Sequence, residues 1–276
     1  MITNSEKSLE GVITPIVSFV GQAELQESLV EHLITSGVGG IFGLGYTGEF
    51  QVLSLSEKKA VTETLSRSID GRVYFMVGVS DKNLDNTYDL AEFAEEKGAD
   101  ALVITPTYVG NIPVLDYVNK ISHSTSADLI LYINPGISRK RIISIADMNE
   151  LIKNERIKGV KVSSDDLNYF MKILALKKQR PDFKVFLGSE EVMIQPTILG
   201  DYDGIVSGTS NFAPKLILKI YESIKIGRPD LARDEINRLR MIHTLYEDGD
   251  AIGTIKSRVL ELNLAEIYKR TVGITV

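Results

Sequence analysis

Residues 41–50 read IFGLGYTGEF, and Gly43, Gly45 and Gly48 within them spell G-x-G-x-x-G. Two folds compete for that spelling. In an open doubly wound sheet the strand turns straight into a helix whose N-terminus carries a pyrophosphate, and an acidic residue follows about twenty positions on. Here Gly48 is followed by EFQVL, and a helix-capping signal arrives only at Ser54, paired with Glu57. The nearest acid of the right kind, Asp81, lies about thirty residues on, and the motif falls in the second strand–helix unit instead of the first. A helix that starts this late leaves the glycines in a loop at the C-terminal mouth of a strand. Backbone N–H groups of such a loop can form a small nest suited to a carboxylate, with Thr47 adding a hydroxyl. A tight turn with no ligand is the other reading of this stretch alone.

The same alternation runs outward in both directions. Short β-branched runs at 12–19, 38–45, 73–79, 101–108, 128–135, 157–164, 183–190 and 202–210 alternate with longer amphipathic stretches. Helices are expected from Glu24 to about Ser36 with Gly37 as the stop, over 54–69 behind a Ser54/Glu57 capping box, and from Asp81 as cap to Lys97. Further helices are expected from Val114 to Ser124, over ISIADMNELIKN, from Leu167 to Gln179, briefly to Leu199, and from Pro214 to about Lys225. The strands are continuous apolar runs, as parallel strands covered on both faces require. Eight such units predict an α/β chain folded as a (β/α)8 TIM barrel over residues 1–226. Residues 227–276 read as a C-terminal helical extension of two or three helices, including LARDEINRLRMIHTLYE. No boundary interrupts the rhythm, which disfavours two domains on an open sheet.

Bulk properties remove other classes. The 276 residues carry a formal net charge of -6, and the longest basic run is Arg139–Lys140–Arg141, read as a solvated loop. Phosphate backbones call for a basic face, so nucleic acid is not an expected partner. With no cysteine there is no disulfide, thiolate nucleophile or Cys-ligated metal. His32, His123 and His243 follow no metal-ligand spacing and are assigned to helix surfaces. The polar N-terminal residues and the absence of a long uninterrupted apolar window predict a cytoplasmic protein without a membrane span.

One residue stands out chemically. Lys158 begins the sixth strand, near solvent, but Lys161 lies near its C-terminal end between Val160 and Val162. Chemistry in a barrel sits at that end. A free lysine is only about one part in 10³ deprotonated at neutral pH, and desolvation raises that fraction, yielding a nucleophile for carbonyls. Taken alone, Lys161 could equally snorkel to water or sit in a salt bridge. Tyr132 occupies the corresponding level of the fifth strand, where a phenol could relay protons. With Thr47, three chemically competent residues share the strand mouths.

Together these residues resemble the dihydrodipicolinate synthase / N-acetylneuraminate lyase superfamily of class I aldolases. The likeness rests on GVITPIVSF, GYTGEF (45–50), ITPTY (104–108), LYINP (131–135), GVKVSS (159–164), FLGSEE (186–191) and DGIVSGTSNFAP (203–214). The resemblance implies a Schiff base between Lys161 and the C2 carbonyl of pyruvate or a longer 2-oxo acid, with Tyr132 passing protons. It implies that Gly45, Tyr46, Thr47 and Gly48 hold the carboxylate. Tyr108 is implied to contact a neighbouring subunit's site, and Asn134, Ser163, Gly188, Glu190 and Ser207 to line the pocket. No metal or cofactor is implied, the partners are pyruvate and an aldehyde, and the assembly is a homotetramer built as a dimer of dimers. The arginine that the synthases carry in the strand-five motif is Ile137 here, with Arg139 two further on, and the usual Ser/Thr before Thr47 is Tyr46. Val162 follows the lysine where many members have an acid, and Gly208 replaces a serine of the sialic acid lyases. GSEEVM with DGIVSGTSNFAP most resembles archaeal 2-keto-3-deoxygluconate aldolases. That resemblance implies cleavage to pyruvate and glyceraldehyde, with Glu190 facing neutral sugar hydroxyls. Another pyruvate lyase, a dinucleotide oxidoreductase and a non-catalytic 2-oxo-acid sensor are the competing readings.

Overall fold

A computed structural model describes residues 7–110, 112–194, 202–246 and 249–262. Eight parallel strands close into a barrel in chain order, β1 pairing with both β2 and β8. They are β1 (Gly11–Pro15), β2 (Gly40–Gly43), β3 (Tyr74–Gly78), β4 (Ala101–Ile104), β5 (Asp128–Ile133), β6 (Ile157–Val162), β7 (Lys184–Leu187) and β8 (Gly204–Val206). Each is followed by a helix: α1 (Ala23–Ser36), α2 (Leu55–Ile69), α3 (Leu84–Glu96), α4 (Val114–Ser124), α5 (Ile145–Leu151), α6 (Leu167–Ala175), α7 (Glu190–Met193) and α8 (Pro214–Lys225). Among the described residues two more, α9 (Arg233–Thr244) and α10 (Ala251–Glu261), follow the barrel.

The continuous apolar strands divide by the two-residue period of a strand. Ile13, Phe42, Met76, Val103, Ile130, Tyr132, Phe186 and Val206 fill the barrel interior. Their neighbours, such as Ile41, Val77, Leu102, Leu131 and Val160, pack outward against Leu29, Leu65, Leu90 and the other helix faces. Each large apolar side chain fully buried this way contributes roughly 1.5–3 kcal/mol.

Local signals set most of the helix ends. Ser54 Oγ accepts from the Glu57 N–H while the Glu57 carboxylate accepts from the Ser54 N–H, the expected capping box. Gly37 closes α1 in the left-handed region. Two ends differ from expectation. Asn83, not Asp81, caps α3, because the Asp81 carboxylate is taken by the buried ammonium of Lys58 at 2.5 Å and by the Asn83 N–H. Helix α6 ends at Ala175 and tightens into a 3-10 turn over Leu176–Lys178. The strands are also shorter than the apolar runs, since pairing stops where the chain turns out at each mouth. The end of the expected short helix reaching Leu199 lies outside the described residues. Among the described residues no helix is long and apolar enough to cross a membrane.

Candidate active site

The β2 loop settles the question posed by its glycines. Residues 44–53 run as turns and a bend, and α2 begins only at Leu55. No helix N-terminus faces Gly48, so the geometry of a dinucleotide turn is missing. Instead the Glu49 N–H donates to the Tyr46 carbonyl and the Phe50 N–H to that of Gly45, coiling the loop. Gly48 is held by close approach: a Cβ there would lie 3.1 Å from the Ile16 carbonyl oxygen. Among the described residues the N–H groups of Thr47 and Gly48 have no hydrogen-bond acceptor, which leaves two donors for an anion. Thr47 is half-buried, whereas Tyr46 is 43% exposed and turned to solvent.

Lys161 points into the barrel. Its register neighbours are Tyr132 on β5 and Phe186 on β7, both interior residues. The ammonium nitrogen lies 4.2 Å from the Tyr132 ring centroid and 5.1 Å from that of Phe42, and the residue is 5% exposed. The same Phe42 ring reaches the β2 loop, where a Cβ on Gly45 would meet it at 2.8 Å. Burial disfavours the charged ammonium and pushes Lys161 down to about 7. The two ring faces favour the cation, but they are the smaller influence. A lysine in this state is substantially neutral at physiological pH and can attack a carbonyl.

Tyr132 is buried edge-on to Phe42, and burial raises its phenol while hydrogen bonding with Asn134 and the influence of Ser163 oppose the rise. Ser163 lies two residues beyond Lys161 on the extension of β6. Gly188 at the end of β7 is where these groups crowd: a Cβ there would lie 2.1 Å from Ser163 Oγ and 3.0 Å from Lys161 Cε. Lys161, Tyr132, Asn134, Ser163 and Gly188 therefore form one cluster, with the Thr47 loop joined to it through Phe42.

Two expected pocket residues bond to each other. Glu190 at the start of α7 accepts from Ser207 Oγ at 2.5 Å, the Thr209 N–H at 2.9 Å and Thr209 Oγ1 at 2.6 Å. His243 Nε2 lies 2.9 Å from its second oxygen. Both carboxylate oxygens and the fully buried Ser207 are thus engaged within the protein. Burial works against ionisation of Glu190, but the hydrogen bonds from His243, Ser207 and Thr209 hold it below the usual carboxylate range. His243, assigned to a helix surface on sequence, is instead turned inward by α9 onto Glu190, beside Tyr246, whose hydroxyl lies 2.9 Å from Thr209 Oγ1. The three-residue spacing of His243 near the end of α9 and Tyr246 just beyond it is the signal that could have found this. His32 is also half-buried, while His123 is exposed.

Tyr108 packs edgewise on Phe50 and lines a cleft of about 960 Å³ with Gln51, Val52, Lys82, Ile137 and Arg139. Arg139 and Lys140 are exposed in a left-handed turn. Among the described residues no group of three or more His, Asp or Glu side chains is arranged to hold a metal.

The profile of the dihydrodipicolinate synthetase family matches residues 8–270. A probable 2-dehydro-3-deoxy-D-pentonate aldolase of Escherichia coli K12, YjhH, is 31% identical over 249 residues, covering 87% of this chain and 82% of that protein. A putative 2-dehydro-3-deoxy-D-gluconate aldolase of the same organism, YagE, is 25% identical over 260 residues, covering 91% and 86%. The crystal structure of YagE in complex with pyruvate superposes with a TM-score of 0.84, covering 91% of this chain and 88% of that one.

Proposed function

This chain belongs to the dihydrodipicolinate synthetase family, and from that premise we propose that it is a Schiff-base aldolase cleaving 2-keto-3-deoxygluconate to pyruvate and glyceraldehyde. The observation that carries the reading is Lys161, buried without a carboxylate partner among the described residues and pressed against the Tyr132 ring. Its neutral amine adds to the C2 carbonyl, and loss of water leaves an iminium. The iminium draws electrons from C3, so removal of the C4 hydroxyl proton breaks the C3–C4 bond and frees the aldehyde. Protonation of the enamine at C3 and addition of water return pyruvate and the free lysine. Dividing the reaction into covalent steps lowers each barrier. Thr47 and the free N–H groups of the β2 loop hold the substrate carboxylate, and Tyr132 handles the protons.

Ile137, in place of an arginine that would bind a second carboxylate, supports a neutral aldehyde over aspartate semialdehyde. The name of YjhH makes the five-carbon 2-keto-3-deoxy acid, which would give glycolaldehyde, the reading to test beside it. Borohydride reduction with pyruvate tests the chemistry: the peptide carrying Lys161 should gain a reduced pyruvyl group, and Lys161→Ala should not. No adduct on the wild type removes the aldolase reading. A panel of 2-keto-3-deoxygluconate, its 6-phosphate, the pentonate homologue, sialic acid, and aspartate semialdehyde with pyruvate then tests the substrate. An adduct with neither aldehyde release nor consumption of aspartate semialdehyde in any of them would mark a 2-oxo-acid sensor.

A further inference from the structure

The side chain of Asn134 is more tightly constrained than a pocket-lining residue needs to be. It lies two residues after Tyr132, and the period of an extended chain puts both on the inner face. Its Oδ1 accepts the Gly136 N–H at 2.9 Å, and its backbone carbonyl accepts from Ser138 Oγ at 2.8 Å. A backbone N–H only donates, so the amide oxygen must face Gly136 and the NH2 must face the other way. That NH2 donates to the Tyr132 phenol oxygen at 2.8 Å. The amide therefore cannot flip without losing both bonds.

This has a consequence for the phenol. With a fixed donor on one side of its oxygen, the Tyr132 O–H has to point away from Asn134. Ser163 also acts on the phenol, and its hydroxyl crowds the same point over Gly188 as Lys161 Cε, which makes it the acceptor available to that O–H. Tyr46, the side chain next to Thr47, is turned to solvent. We propose that Asn134 is a positioning residue that aims the Tyr132 hydroxyl at Ser163, so that Tyr132 and Ser163 form the proton path beside Lys161.

The inference rests on the Schiff-base reading, and pyruvate alone tests both. In deuterated water the pyruvyl iminium loses one C3 proton and regains one solvent deuteron, with no other bond changed, so exchange reads the proton path while borohydride trapping reads the Schiff base. In Asn134→Asp the turn survives, since one carboxylate oxygen still accepts the Gly136 N–H. The other oxygen can only accept while ionised, and draws the phenol O–H away from Ser163. Trapping on Lys161 should persist, and C3 exchange, taken relative to trapping, should fall about tenfold or more. Protonation of the introduced carboxyl restores a donor in the place of the amide, so the exchange rate relative to wild type should climb as pH falls. Asn134→Leu, lacking any donor, should show the loss at every pH. A wild type that traps pyruvate beside variants that exchange at its rate with its pH profile overturns the positioning role alone. A wild type that traps nothing overturns both readings.

Discussion

Lys161 carries the cost of its own reactivity. Burial lowers its ammonium from 10.5 to about 7, and each unit of such a shift is about 1.4 kcal/mol between the two protonation states. Between those two values the unfolded chain holds a proton that the folded chain has released, so stability rises with pH through this window. At neutral pH the cost is several kcal/mol, offset by about 1–2 kcal/mol of cation–π contact with Tyr132 and Phe42. Lys161→Met should therefore abolish pyruvate trapping while stabilising the fold by roughly 1–3 kcal/mol at pH 7. Thermal melts should show that advantage shrinking toward pH 10, and a variant that melts below wild type at both pH values contradicts the account. For the wild type, aldolase turnover should rise with pH through about 7 as the amine is freed.

Between elements, the Glu190–His243 contact joins α7 and the β8 loop to α9. The groups facing the imidazole are Glu190, Glu191 at 4.0 Å and the Tyr246 ring. Burial disfavours the imidazolium, but the hydrogen bond and charge of Glu190, with Glu191, raise it above 6.5. Its stabilising contribution is complete below that ordinary value and is lost as pH rises through the raised one. The lowered Glu190 acts oppositely: its contribution is present above 4.5 and is lost as pH falls through the depressed value. The contact is thus strongest between those two ordinary values and weakens on the alkaline side. Hydrogen-exchange protection of α9 should fall severalfold, on the order of 1 kcal/mol, from pH 6 to pH 9. His243→Gln should remove that dependence; equal protection at both pH values in the wild type refutes it. This tie also shows where sequence reading stops. The barrel, the inward lysine and the neighbouring tyrosine were legible because strand period and strand order decide them. The engagement of Glu190 was not, because its partners come from a loop about twenty residues on and a helix about fifty residues on, and no local pattern pairs them. Asn134 is legible as a pocket residue, but its bond to Tyr132 depends on a turn closed by the Gly136 N–H.

For the molecule as a whole, the C-terminal helices bear on the loops that would hold substrate. Ile255 on α10 is 4% exposed, and its Cδ1 lies 3.2 Å from where a Cβ on Gly208 would stand. That same point is 3.9 Å from Thr47 Oγ1. Next along α10, Lys256 ion-pairs with Glu49, a non-glycine residue held at φ 59 just past the nest. One helix outside the eightfold repeat thus braces the β2 and β8 mouths together. The two contacts differ in weight. The ion pair is 29% and 28% exposed on its two sides, where such pairs contribute about 0–1 kcal/mol. Truncating a buried isoleucine typically costs about 2–5 kcal/mol. Ile255→Ala should therefore loosen the Thr47 loop and raise KM for the 2-oxo acid severalfold, with kcat within about twofold, since the loop binds the carboxylate in ground and transition state alike. Lys256→Ala should change KM by less than about twofold. Steady-state kinetics of the two variants decide the matter: a larger effect from Lys256 would make the ion pair the brace, and an unchanged KM in both would leave α10 without influence on the barrel mouth.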